Sequence, residues 1–259
     1  MREVYAVITL AYRDLLKLLR DPARLISSLM FPLLFILILG GSMQGSFGPR
    51  SSFDYLAFIF TGVFAQNLFQ SAAMGVVSLI DDRENDFSQE VFVSPISRYS
   101  IILGKIIGET LVALTQAIGV LAFGFIAGVS FSFGQLLGLA WTGVVICIFG
   151  AAFGVIILSN LNNRRTADQI FPYVMLPQFF LAGVFNPLHG LPWYLDLLSR
   201  ISPMRYAVDL TRDIFYVGRT DYRFAVLQSL GNNLAVMTAA FLVFLVVGTF
   251  LFVRKERNR

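Results

Sequence analysis

Charge is scarce in this sequence. Only 14% of its 259 residues are Asp, Glu, Lys or Arg, while 56% are hydrophobic. Soluble domains carry about 25% charge, so a chain this poor in it lacks the means to cover a surface in water. Its mean hydropathy of +0.72 names lipid as the solvent instead. Cysteine is limited to Cys147, inside an apolar run, which excludes an intrachain disulfide. Histidine is limited to His189, in a Pro/Gly-rich turn, so no cluster for a metal site can be assembled. No nucleophile, base and orienting group can be combined into a catalytic set, and no catalytic residue is assigned. Gly104-Lys105 lacks the phosphate-loop context: Tyr99 stands where the upstream glycine is required, and Ile106 follows the lysine. The net charge of +4 is modest. Without interleaved basic and aromatic residues it suits anionic lipid headgroups, not nucleic acid. No cleavable signal peptide is evident, because a charged segment precedes the first apolar run.

What is present is a series of apolar stretches, at about Leu25–Gly41, Tyr55–Ile80, Ile101–Val129, Leu136–Leu158, Ile170–Phe185 and Leu234–Val253. Crossing the hydrocarbon takes roughly 20 apolar residues. The expected fold is therefore an all-α polytopic membrane protein with six spans, forming a single domain over residues 1–259. The fifth stretch is short and holds Pro172 and Pro177, which predicts a kinked helix supported by its neighbours. Residues 1–24 form an amphipathic helix with Arg2, Arg13, Lys17, Arg20 and Arg24 on one side, expected to lie in the interface. Placing both termini in the cytoplasm puts 14 of the 20 Lys and Arg residues inside. The expected location is the cytoplasmic membrane. Residues 186–233 then lie outside. They hold two short helices, near Leu191–Arg200 and Pro203–Tyr216, that cap the spans or re-enter the outer leaflet. Arg205, Asp209 and Arg212 have helical pairing spacing.

Polar residues within spans cost free energy unless partnered. Gln66, Asn67 and Gln70 lie in the second stretch, Glu109 and Gln116 in the third, and Gln178 in the fifth. Phe64, Asn67, Gln70, Gln178, Phe179 and Phe180 are the candidate walls and polar contacts of a substrate path. Glu109 is expected to be a structural charge, paired with Lys105 one turn away or with Arg13 or Lys17. Glycine pairs such as Gly104/Gly108 and Gly150/Gly154 predict close helix packing within the bundle. Between the second and third stretches, residues 81–98 begin acidic and then present Phe87, Val91 and Phe92 on one helical face before Ser94-Pro95 stops the helix. An acidic segment is repelled by the inner leaflet, so that apolar face predicts a protein partner.

Two motifs carry a resemblance. Asp82-Arg83-Glu84, Ser94-Pro95-Ile96-Ser97-Arg98 and Leu103-Gly104-Lys105 resemble the segment after the second span of ABC-2 type transporter permeases. Pro177-Gln178-Phe179-Phe180-Leu181-Ala182-Gly183, with Pro187, Pro192, Ser202-Pro203 and Tyr206, is similar to that family's second hallmark. The chain looks closest to the daunorubicin and multidrug resistance permeases and to those exporting nodulation factors. It departs from many members in having Asp86-Phe87 in place of a Gly-Thr pair. The resemblance implies the type V, or ABCG-like, fold, with an interfacial connecting helix, six spans and a coupling helix. It implies pairing with a second permease, identical or related, and with ATPase subunits that bind ATP and Mg; no cofactor is expected on this chain. Arg83, Glu84, Phe87, Glu90, Val91, Phe92 and Pro95 are then the residues expected to meet the ATPase. The function implied is export of an amphipathic drug-like or lipid-like molecule. Alternatives are a glycolipid or polysaccharide exporter, and a membrane assembly factor that transports nothing.

Overall fold

The computed structural model describes residues 2–48, 53–80, 97–161 and 163–257. Among these the chain is helical, with no strands. Helix α1 spans Arg2–Leu19. Helix α2 (Pro22–Phe35) continues through a π-helical stretch, Ile36–Gly40, into α3 (Gly41–Phe47). Then come α4 (Tyr55–Val77), α5 (Arg98–Ile126), α6 (Phe133–Asn160) and α7 (Arg164–Leu181). The rest comprises α8 (Trp193–Ile201), α9 (Pro203–Tyr216), the short α10 (Tyr222–Ala225) and α11 (Leu230–Arg257). Five segments are long and apolar enough to cross a membrane: Pro22–Phe47, Tyr55–Val77, Tyr99–Ile126, Phe133–Asn160 and Tyr222–Leu251. The residues around the predicted fifth span form α7, whose first turns carry Arg164, Arg165 and Asp168 and so lower its apolarity.

Polar side chains set the helix starts. Asp21 accepts the Arg24 amide at 2.9 Å and Asp54 accepts that of Ala57 at 3.0 Å. Asn163 accepts the Thr166 amide at 2.8 Å. Ser132 and Gln135 form a reciprocal capping box. Each cap satisfies an amide that would otherwise be orphaned, a contribution of about 1 kcal/mol. At the far end of α7, Gly183 adopts φ +71°. Its own amide reaches the Phe180 carbonyl, and the Val184 amide reaches back to that of Phe179. This is the left-handed helix stop that glycine makes without a Cβ penalty. It leaves the Gly183 and Val184 carbonyls pointing away from the helix.

Helix α4 is the centre of the bundle and packs against α5, α6 and α9. Phe58, Phe60, Phe64, Leu68 and Phe69 on it are fully buried. Close approach to α6 depends on Gly150 and Gly154. A Cβ there would stand 2.5 Å from the Phe69 carbonyl oxygen and 2.4 Å from that of Ala73. Gly104 and Gly108 admit α1 instead, since a Cβ on them would stand 3.2 Å from the Val7 Cα and 3.0 Å from the Ala11 Cα. Both glycine pairs therefore serve packing inside the chain. Helix α1 buries Ala11, Asp14 and Leu18 and leaves Val4, Tyr5, Ile8, Tyr12 and Leu19 exposed, an apolar face available to lipid.

Candidate functional site

A polar cavity of about 290 Å³ opens between α2, α4 and α5. Helix α2 contributes Arg24, Ser27, Ser28 and Phe31. Helix α4 contributes Gln66, Asn67, Gln70, Ser71, Met74 and Gly75, and α5 contributes Gln116. Positions 66, 67, 70, 71 and 74 recur at helical spacing, so one stripe of α4 faces the cavity. Gln66 donates to the Gln70 Oε1 at 2.8 Å, and Ser71 donates to the Gln116 Oε1 at 2.6 Å. The Gln66 Oε1 and Asn67 Oδ1 are buried without a hydrogen-bond partner. Such an orphaned acceptor costs about 1–3 kcal/mol, which a bound water or ligand would recover.

Arg24 and Met74 also line an adjoining cavity of about 400 Å³ with Asp14, Lys17, Ser78, Lys105, Glu109 and Arg164. The two spaces thus meet. In the second, the Lys105 ammonium lies 3.0 Å from Asp14 Oδ2 and 2.8 Å from Glu109 Oε1. Arg13 holds the other Asp14 oxygen at 2.8 Å. Glu109 Oε2 has no partner and rests against Gly75, whose Cα leaves room for it. The link from α5 to α1 therefore runs from Lys105 to Asp14, a residue that the basic stripe around it conceals in the sequence.

The proposed path residues separate in space. Asn67 and Gln70 line the cavity. Phe64 is buried in the core against Phe60. Phe179 touches the rim through Phe31, with ring centroids 6.1 Å apart, while Phe180 is largely exposed. Gln178 turns to the cap helices: its Oε1 accepts from the Ser202 hydroxyl and the Met204 amide, both at 3.4 Å. Arg83, Glu84, Phe87, Glu90, Val91, Phe92 and Pro95, the residues expected to meet an ATPase, lie outside the described residues.

The cap is built around charges that sequence spacing pairs differently. Arg205 reaches Asp196 and Ser199, at 3.3 and 2.9 Å, in place of Asp209. Asp209 accepts the Leu227 and Gln228 amides and the Asn233 side chain. Burial raises its pKa, against the lowering effect of those bonds. Arg212 is fully buried. Its Nη2 donates to the carbonyls of Gly183 (2.8 Å), Val184 (3.2 Å) and Phe58 (3.4 Å). Its guanidinium lies 3.6 Å from the Phe58 ring centroid. Burial lowers its pKa to about 10, so the charge persists at neutral pH. One side chain thereby ties α9 to α4 and to the end of α7.

Among the described residues, no group of three His, Cys, Asp or Glu is placed to hold a metal ion. The ABC-2 type transporter family model matches residues 5–216. A chain from Cyanophora paradoxa, named as a transport permease, ycf38, is 23% identical over 96% of this chain and 88% of its own length. The daunorubicin resistance ABC transporter permease protein DrrB1 of Streptomyces coeruleorubidus is 24% identical over 82% of this chain and 76% of its own. The polysialic acid transport protein KpsM of Escherichia coli is 23% identical over 86% and 81%. With a family match across most of its length and five helices fit to cross a bilayer, this chain is a multi-pass membrane protein that belongs to the ABC-2 type transporter family.

Proposed function

We propose that this chain is the membrane subunit of an ATP-driven exporter of the cytoplasmic membrane, and that its substrate, an amphipathic molecule, enters the cavity between α2, α4 and α5. The observation that carries this reading is the row of amides and hydroxyls facing one cavity of a bundle whose side chains are mostly apolar. Polar groups at such depth are costly, and a wet or ligand-filled cavity is the setting that offsets the cost.

Helix α7 acts as a sixth span, completing a type V arrangement with both termini in the cytoplasm. Two contacts support this. Arg164, at its start, lines the same cavity as Ser78 at the end of α4. Gly183 and Val184, just past its end, share Arg212 with Phe58 near the start of α4. The two contacts are 20 residues apart along α4, about 30 Å at 1.5 Å per residue.

Residues 78–97 join the two helices that carry most of the cavity's polar groups. A separate ATPase, binding ATP and Mg, docks on Phe87, Val91 and Phe92, with Arg83, Glu84 and Glu90 around them and Pro95 ending the segment. Closure of the ATPase around ATP shifts α4 relative to α5 and changes which side the cavity opens to. A second permease subunit completes the transporter.

The test is coexpression with its ATPase subunit. The two chains copurify, and ATP turnover depends on this one. Phe92→Ala weakens the pairing by about 2 kcal/mol, the size of a lost aromatic anchor, while the permease still inserts. Equal ATP turnover with and without this chain would overturn the proposal.

A further inference from the structure

We infer that the part of the substrate held in the cavity between α2, α4 and α5 is rich in hydroxyl groups, and that any charge on it is negative. This rests on the reading of that cavity as the substrate site. Its polar lining consists of side-chain amides (Gln66, Asn67, Gln70, Gln116) and serine hydroxyls (Ser27, Ser28, Ser71). The orphaned oxygens of Gln66 and Asn67, sealed within the wall, reach a ligand's donors once the side chains rotate toward the cavity. An amide turned end over end calls instead for acceptors. A hydroxyl supplies both, whereas an ammonium supplies donors alone. Several such sites on one stripe of α4 match a group with several hydroxyls, as on a sugar.

Charge points the same way. The cavity lining includes no carboxylate, and its one charged residue, Arg24, stands where it meets the neighbouring space. There Lys17, Lys105 and Arg164, the last paired with Asp168 at 2.8 Å, accompany two acids. Asp14 and Glu109 both face Lys105, Asp14 also meets Arg13, and the carboxylate oxygen without a partner, Glu109 Oε2, is closed against Gly75. A cationic head group entering past Arg24 finds no carboxylate in the cavity to replace its water. A hydroxyl-rich group with a phosphate or carboxylate meets opposite charge at the entrance and hydrogen-bond partners inside. The apolar remainder of the molecule has a wall beside it. The Phe31 ring lies tilted 4.2 Å from that of Phe35, and Phe35 stacks on Phe185 at 5.1 Å, measured between ring centroids.

The test uses the full chain in lipid nanodiscs, with binding followed by isothermal titration calorimetry. Octyl maltoside, octyl sulfate and octyltrimethylammonium share one tail and are titrated below micelle formation. The maltoside is expected to give a saturable change with half-saturation at least about tenfold below that of the ammonium compound. Asn67→Leu and Gln66→Leu each weaken the maltoside response about tenfold, as loss of a buried hydrogen bond requires. Asn67→Asp moves the preference toward the cation. Two variants at different positions, each checked by its melting temperature, guard against misfolding. Equal or tighter response to octyltrimethylammonium in the parent protein overturns the head-group assignment and leaves the cavity as the site. So does a maltoside response unchanged in both leucine variants. No response to any of the three probes removes the cavity as the site, and this inference with it.

Discussion

The Lys105 ammonium lies 3.0 Å from the Asp14 carboxylate, although 91 residues separate them in the chain. Both side chains are nearly inaccessible, and Glu109 meets the same ammonium at 2.8 Å. A lysine shared by two acids joins the amphipathic first helix to α5.

Lys105→Met would leave Glu109 buried without its cation and Asp14 with Arg13 alone. Breaking a buried pair from one side costs about 3–5 kcal/mol, so this variant is expected to show a marked fall in melting temperature in detergent. The triple replacement Asp14→Asn, Lys105→Met, Glu109→Gln removes the three buried charges together, while the partly exposed Arg13 keeps its access to water, and is expected to recover most of that loss. A Lys105→Met protein as stable as its parent would show that the cluster does not fasten α1 to α5.

Gly150 and Gly154 set the spacing of α4 and α6. Gly154→Val places carbon against the Ala73 backbone, which has no rotamer to yield. Overpacking of this kind costs about 1–3 kcal/mol. Gly134→Ala, at a position with open space around it, is expected to be nearly neutral. Thermal unfolding of the two variants side by side reads the contrast directly. Equal stability would mean that the helices part without penalty.

Arg212→Met deprives three buried carbonyls of one donor. Each unsatisfied polar group costs about 1–3 kcal/mol, and Arg212→Lys restores only part because an ammonium lacks the flat face that stacks on Phe58. Protease added to the outer side should cut near residues 187–192 faster in the Met variant than in the Lys variant, and slowest in the parent. The same rate in all three would remove Arg212 as the fastener of the cap.

Helix positions were legible in the sequence because apolar runs and their polar caps are local. The Pro203–Tyr216 helix was read to the residue, since a proline at its first turn marks the start. Partner choice was not legible. Gln178 and Asn67 are both amides inside apolar runs, yet one is taken up by Ser202 and Met204 while the other faces a cavity. Local spacing also paired Arg205 and Arg212 with Asp209, whereas the folded chain sends them to Asp196 and to carbonyls of α4 and α7. A signal for Asp14 did exist. It shares a helix face with Ala11 and Leu18, three and four residues away, and that face is the buried one.

The proposed crossing of α7 is open to chemical labelling. Single cysteines at Arg165 and Thr220, both exposed, are expected on opposite sides of the membrane. An impermeant maleimide on intact cells labels Thr220→Cys, and labels Arg165→Cys only after the membrane is opened. Labelling of both from outside would mean that α7 does not span.

The most direct measurement is ATP-driven efflux from vesicles carrying this chain and its ATPase, compared with the Asn67→Trp variant. An indole at Asn67 fills the cavity between α2, α4 and α5 and leaves the sequence of residues 81–98 unaltered. The account predicts an assembled complex that still turns over ATP but exports less than about a tenth of the parent's substrate flux, in keeping with loss of the site and not of coupling. Export at the parental rate through a filled cavity would contradict the account, because the substrate would then be crossing by another route.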